Sequence, residues 1–251
     1  MKPRPNSVQV RGVTLAPDVV TLVQSLLRSD GYVYLAGIPE EFDHLAELSR
    51  LGQLVPQYGG DLIREVRPLD DVGDDVVSAS NTKELTPHTE WYEFPGTPPR
   101  FVALWCVRRA TGGGGETTLA DGDRFLRQFS PDEQAQLRST RYAWRSSPSL
   151  AVHGIISSAL HPFLEEHDGR LLLRFSTQDI TSADDGLLRR FISAGNAYFA
   201  ESRMEFGIAE NDVLVWDNWR MIHARNAFSD RSRHLRRVLI SDHAESHQLG
   251  C

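Results

Sequence analysis

Val213–Ile240 reads VLVWDNWRMIHARNAFSDRSRHLRRVLI, and its two ends decide the fold class. Val213–Trp216 is a short apolar run of β-branched and aromatic residues, too brief for a helix, and reads as a buried strand. Leu235–Ser241 reads as a second strand. Working outward, the same signature recurs at Val76–Ser80, Phe101–Arg108, Glu116–Leu119, Thr140–Trp144, Arg170–Phe175 and Met204–Phe206. Helical spacing is rarer. Ala16–Arg28 places Val19, Leu22, Val23, Leu26 and Leu27 on one face, and Glu40–Leu51 does so with Phe42, Leu45, Leu48 and Leu51. A strand at Tyr32–Leu35 separates them, and Asp121–Gln128, Pro131–Arg138 and Asp185–Phe199 are further helical pieces. Many short strands and few helices predict a mostly β protein with flanking helices, a barrel or sandwich. The order does not suit a parallel βαβ fold, and neither G-x-G-x-x-G nor P-loop spacing occurs.

Composition narrows the function. The 251 residues are 40% hydrophobic and 24% charged, ordinary for a globular chain. No composition shift marks a boundary, so one domain over 1–251 is expected, with an αβ portion of about residues 1–60 packed on the strands. Formal charge is −7, which argues against a general nucleic-acid binder. Cys106 lies in an apolar run and Cys251 ends the chain, so no disulfide framework is expected. MKPRPNSVQV at the start has no apolar run, and no stretch reaches the roughly 18 residues of a membrane span. A soluble cytoplasmic protein, with neither nucleic acid nor membrane as partner, is expected. Tyr58–Asp75 is acidic and reads as loop or lid; over a pocket mouth it would favour a cationic substrate.

Nine histidines prompt a search for metal ligands. His88 and Glu90 flank Thr89, and in extended chain residues i and i+2 point the same way. They can therefore offer an imidazole and a carboxylate to one point. His223 follows the buried strand Val213–Trp216 and could supply a third ligand. Two His and one carboxylate leave open positions on iron, the facial triad of non-haem oxygenases. Arg233 and Arg237, four apart beside Leu235 and Leu239, need anionic partners if they point inward.

These residues lie in segments that resemble the Fe(II)/2-oxoglutarate-dependent dioxygenases of the taurine dioxygenase and clavaminate synthase group. PHTEWYEFPGTPPRFVALWC (87–106) is similar to that group's first ligand segment, and GGGGETTLADG (112–122) to its glycine–threonine segment. ALHPFLEEHDGRLLLRFS (159–176) resembles its His-Pro hairpin. VLVWDNWRMIHARNAF with RHLRRVLI resembles its Asp-Asn-x4-His segment and closing arginine strand. The resemblance implies a double-stranded β-helix (jelly-roll, cupin-like) core. It implies that His88, Glu90 and His223 hold Fe(II), that Thr117 and Arg233 bind the distal carboxylate of 2-oxoglutarate, and that Arg237 and Asn81 face substrate. It implies decarboxylation of 2-oxoglutarate to succinate and CO2, coupled with O2 to oxidation of a C–H bond. Hydroxylation, desaturation and cyclisation are all outcomes of such a centre. The expected substrate is a small molecule with an amino-acid core, free or carrier-linked. Two alternatives use the same side chains: a zinc hydrolase, although H-E-x-x-H is missing, and a non-catalytic jelly-roll that only binds.

Overall fold

The computed structural model describes residues 6–70, 79–147, 150, 154–178, 180–181 and 185–242. In chain order the strands are β1 (Ser7–Gln9), β2 (Tyr32–Ala36), β3 (Gln53–Val55), β4 (Arg64–Val66), β5 (Leu85–His88), β6 (Phe101–Arg108), β7 (Thr117–Asp121) and β8 (Tyr142–Arg145). They continue with β9 (Ser158–His161), β10 (Leu164–His167), β11 (Arg170–Leu173), β12 (Ile180–Thr181), β13 (Met204–Phe206), β14 (Val213–Asp217), β15 (Met221–Arg225) and β16 (His234–Ser241). The helices are α1 (Pro17–Asp30), α2 (His44–Leu48), α3 (Gly122–Leu126), α4 (Pro131–Ser139) and α5 (Gly186–Ser202).

Two sheets face each other as a jelly-roll. The larger has the order β1-β2-β14-β6-β16-β3, with β4 also on β16; the smaller is β13-β7-β15-β5. Side-chain alternation sorts the strands into three apolar layers. Between the sheets lie Val102, Leu104, Cys106, Leu119, Leu214, Trp216, Met221, Leu235 and Leu239. Outside the larger sheet, Ala103, Trp105, Val213, Val215, Val238 and Ile240 pack with Val23 and Leu27 of α1. Outside the smaller sheet, Ala120, Ile222 and Ala224 meet Phe125, Leu137, Phe191 and Phe199 of the helices. Val213–Trp216 is a continuous apolar run because both of its faces are covered. β2 pairs with β14, so the αβ portion at the start is built into the larger sheet.

Local chemistry sets the helix ends. Pro17 begins α1 and Gly31 ends it at φ 81°, a left-handed residue that glycine adopts without strain. Ser130 and Glu133 form a capping box on α4, and the Asp185 carboxylate accepts from Leu187 and Leu188 N–H at the start of α5.

Several expectations are corrected. Glu40–Leu51 is helical only from His44, where Asp43 accepts the Ala46 N–H, and it ends in a 3-10 turn over Ser49–Leu51. Part of the expected Tyr58–Asp75 loop is β4, which pairs Val66 with Leu235; Asp71–Asp75 lie outside the described residues. Of Val76–Ser80 only Ala79 and Ser80 are described, and they form a turn. β15 has no counterpart among the expected strands, because two of its inward positions, His223 and Arg225, are polar and its outward Ile222 and Ala224 are apolar. No helix of the described residues is long and apolar enough to cross a membrane.

Phe191 is fully buried against Phe125, Phe129, Phe163 and Phe175. Phe191→Ala is expected to lower unfolding free energy by about 3–5 kcal/mol in a denaturant titration; a loss under about 1 kcal/mol would mean the helical layer does not support the sheet.

Candidate metal centre

β5 and β15 pair antiparallel with His88 opposite His223. On its other side β15 pairs with β7, placing Leu119 opposite His223 and Thr117 opposite Arg225. Directly opposed residues share a face, and Leu119 belongs to the layer between the sheets. His88, His223, Thr117 and Arg225 therefore point inward. The β5–β15 register shifts between His223 and Arg225, opposite Thr86-Pro87. Pro87 has no N–H for the ladder, and a bulge is where a sheet tolerates it.

Glu90 lies two residues past the end of β5, in a turn rather than on the strand, and Trp91 follows at φ 65°. The turn is held from several sides. Asn218 Oδ1 accepts the Glu90 N–H (2.7 Å), and its Nδ2 donates to the Glu90 and Pro99 carbonyls (both 3.1 Å). Thr89 N–H donates to Phe175 O (2.9 Å), and the Thr89 hydroxyl accepts Phe175 N–H (3.0 Å). Buried Arg174 donates to Trp91 O (3.2 Å) and Gly96 O (2.6 Å), with its Nε on Glu165 (2.7 Å). Asn218 is itself placed by the β14–β15 turn, where Asp217 pairs with Arg100 (2.5 Å) and Arg100 lies over Trp219 (4.5 Å). Burial pushes the Asp217 carboxyl up to about 6 against the opposing pull of Arg100.

The outcome is one cluster. One ligand atom each from His88, Glu90 and His223 lies within 4.8 Å of the others. Glu90 Oε2 is 3.9 Å from His223 Nε2, and the imidazole centroids are 4.2 Å apart. His88 Nδ1 is 2.8 Å from Thr86 O. A carbonyl only accepts, so Nδ1 is the donor and Nε2 is the nitrogen left to ligate, the usual orientation of a metal-binding imidazole. Burial, with His88 and Arg237 nearby, holds His223 well below the ordinary histidine range, so it is neutral and able to donate its lone pair. Two nitrogens and one carboxylate oxygen converging from two elements suit a first-row divalent metal.

Two further basic side chains point inward beside this cluster. Arg237, opposite Leu104, reaches Glu90 Oε2 with Nη1 (2.5 Å) and Gln57 Oε1 with Nε (2.9 Å). Gln57 is buried and donates back to Arg237 O (2.9 Å). Arg233 is 4% exposed and lies over the Phe228 ring (5.0 Å). Its Nη2 donates to Gly115 O (2.8 Å), while its buried Nη1 has no partner among the described residues. Burial lowers its pKa to about 10, so it stays protonated at neutral pH. The glycine run makes this approach possible: a Cβ on Gly115 would lie 2.8 Å from Arg233 Nε, and one on Gly114 2.2 Å from Ala227 O. A cavity of about 180 Å³ opens beside Arg233, Gly113, Glu116, Ile208 and Leu235. Thr117 is buried two residues past Gly115, and Asn81 is buried in a turn where its Oδ1 accepts Lys83 N–H (3.2 Å).

The structure thus gathers His88, Glu90, His223 and Arg237 directly, and sets Arg233 beside the glycine turn that leads into Thr117. Gln57, Arg174 and Arg225 were not singled out in the sequence. Arg225 had a signal, an arginine two residues from His223 on what proves to be the same strand face. Cys106 is the buried small hydrophobe expected, its thiol pushed up to about 12 by burial.

The profile of the taurine catabolism dioxygenase TauD, TfdA family matches residues 2–239. The chain is 26% identical over 168 residues to 3-((Z)-2-isocyanoethenyl)-1H-indole synthase of Fischerella ambigua, covering 59% of this chain and 60% of that protein. It is 23% identical over 229 residues to gamma-butyrobetaine dioxygenase of Homo sapiens, covering 84% of this chain and 57% of that one. The chain thus spans about 60% of the length of these curated relatives. Among solved structures, asparagine oxygenase in complex with Fe(II), 2S,3S-3-hydroxyasparagine and succinate superposes with a TM-score of 0.75 at 19% identity, covering 90% of this chain and 80% of that one. The non-heme iron oxygenase OrfP with Fe and alpha-ketoglutaric acid does so with a TM-score of 0.72 at 20% identity, covering 91% and 81%.

If Asn218 sets the Glu90 turn, Asn218→Ala is expected to weaken Co(II) binding, followed by its visible absorption, by about 10- to 100-fold. Wild-type affinity would show that Glu90 is placed by other means.

Proposed function

Since the chain belongs to the taurine catabolism dioxygenase TauD, TfdA family of Fe(II)/2-oxoglutarate-dependent dioxygenases, we propose that it hydroxylates an unactivated C–H bond of a small, amino-acid-like substrate. The reaction would consume O2 and 2-oxoglutarate and release succinate and CO2. The observation that carries this reading is the convergence of His88, Glu90 and His223 within 4.8 Å on the inner side of the smaller sheet.

In this reading those three side chains hold Fe(II), and the bound iron and 2-oxoglutarate supply the oxidising chemistry. The chain's own contribution is binding, orientation and exclusion of water. Arg233 takes the distal carboxylate of 2-oxoglutarate. Its buried, protonated guanidinium has an unpartnered Nη1, and a buried charge of this kind is stabilised by a paired anion. The Thr117 hydroxyl, inward-facing on the next strand, adds a hydrogen bond. Arg237 partly neutralises Glu90 and fixes one of its oxygens, so the carboxylate presents a defined edge to the metal. Asn81 lines the primary-substrate side, and Arg237 lies where it can also attract a substrate carboxylate.

An amino-acid-like substrate is supported by the structural relatives named for hydroxylated asparagine and hydroxylated arginine, and by the relative that acts on gamma-butyrobetaine. We read the chain as one catalytic domain, as its sequence suggested.

The test is succinate formation from 2-oxoglutarate with Fe(II), O2 and a panel of amino acids and betaines. Glu90→Ala and His223→Ala should abolish it; coupled turnover in either variant would contradict the ligand assignment. Arg233→Ala should raise the 2-oxoglutarate KM by an amount equivalent to about 2–5 kcal/mol. An unchanged KM would show that another cation receives the cosubstrate.

A further inference from the structure

Arg225 is 3% exposed and sits on the inner face two residues from His223. Across the ladder it faces Leu85, the first residue of β5. Its fork does not stop there. Nη1 donates to Ala79 O (3.0 Å) and Nη2 donates to Lys83 O. These two carbonyls bracket Asn81. Three residues further on, Phe228 N–H donates to Thr82 O (3.0 Å), so the segment after His223 grips the same turn twice. The Phe228 ring also meets two cations: Arg225 and Arg233 each stand 5.0 Å from its centroid.

From this arrangement we infer that Arg225 is a positioning residue that locks the Ala79–Lys83 turn, and with it Asn81, to the strand carrying His223. A planar guanidinium with five donors can span two carbonyls four residues apart; an ammonium concentrates its donors at one point and cannot. Charge alone is therefore not what the position requires. The turn is a short irregular link with its own Asn81–Lys83 hydrogen bond and a backbone bond from Leu69 N–H to Ser80 O (2.9 Å), and such links open locally unless tied to a rigid element. Tied to β15, Asn81 keeps a fixed place relative to His223. Burial, and the proximity of Arg233, lower the Arg225 pKa to about 9, and an anion on Arg233 would relieve that repulsion. That Asn81 faces the primary substrate rests on the function proposed above; that Arg225 holds the turn does not.

Amide hydrogen exchange read by mass spectrometry tests the lock on Fe(II)- and 2-oxoglutarate-loaded protein kept free of oxygen. In Arg225→Lys, peptides covering Asn81–Leu85 are expected to exchange at least about tenfold faster, while those covering Leu119–Asp121 keep their protection. In Arg225→Ala, millimolar guanidinium chloride is expected to restore protection of the turn, and ammonium chloride is not. Wild-type protection of the turn in Arg225→Lys would overturn the inference. So would equal loosening of the turn and the β7–β15 ladder, because Arg225 would then be supporting the barrel at large. Equal restoration by the two salts would overturn it as well, leaving only a charge effect. These readouts need no primary substrate, so they fail or succeed separately from the succinate assay.

Discussion

The antiparallel pairing of β5 with β15 builds the candidate metal centre. It puts His88 directly across from His223 on an inward face, and it ends just before Glu90. Two imidazoles are thereby placed by backbone hydrogen bonds, the most rigid means a protein has, rather than by side-chain packing. The carboxylate needs a separate device because its residue has left the ladder. Asn218 provides it by pairing with both the N–H and the carbonyl of Glu90, much as a neighbouring strand would. The metal centre is therefore part sheet and part turn.

The interior beside this centre is unusual in its charge. Arg225, Arg233 and Arg237 are all directed inward, although burying a guanidinium without compensation is unfavourable. Each has a different compensation. Arg237 has Glu90 and Gln57, Arg225 has two carbonyls, and Arg233 has one carbonyl among the described residues, with Arg225 and Arg233 both close to the Phe228 ring. That inequality distinguishes them. Arg233, with a single backbone acceptor among the described residues, is in the proposed function the one suited to the distal carboxylate of the cosubstrate, while Arg225 is occupied in holding protein.

The chemistry-bearing side chains were more legible in the sequence than the elements that carry them. His88, Glu90 and His223 stand in short, distinctive segments, so their residue types were visible directly. Their supports were harder to read for a physical reason. Met221–Arg225 carries polar residues toward the core and Ile222 and Ala224 toward a second apolar layer, so simple inside–outside alternation misassigns it. His223 was accordingly placed after a strand when it lies within one. β14 was easier, since a short apolar run rich in β-branched and aromatic residues is too brief for a helix and suits a strand covered on both faces. Arg64–Val66 is too short and charged to register as a strand; it is one because β16 offers it a partner. Asn218 and Gln57 act through backbone groups brought from far along the chain, and no local pattern announces such a contact.

In the proposed function these side chains form one centre that binds iron and the keto acid together. Its most direct test is an anaerobic titration of the purified chain with Fe(II) and 2-oxoglutarate, watching for the weak visible metal-to-ligand charge-transfer band of a chelated keto acid. A saturable band at one iron and one 2-oxoglutarate per chain is expected. Tight iron binding with no such band, or a band that persists when Glu90 and His223 are both replaced by alanine, would contradict it.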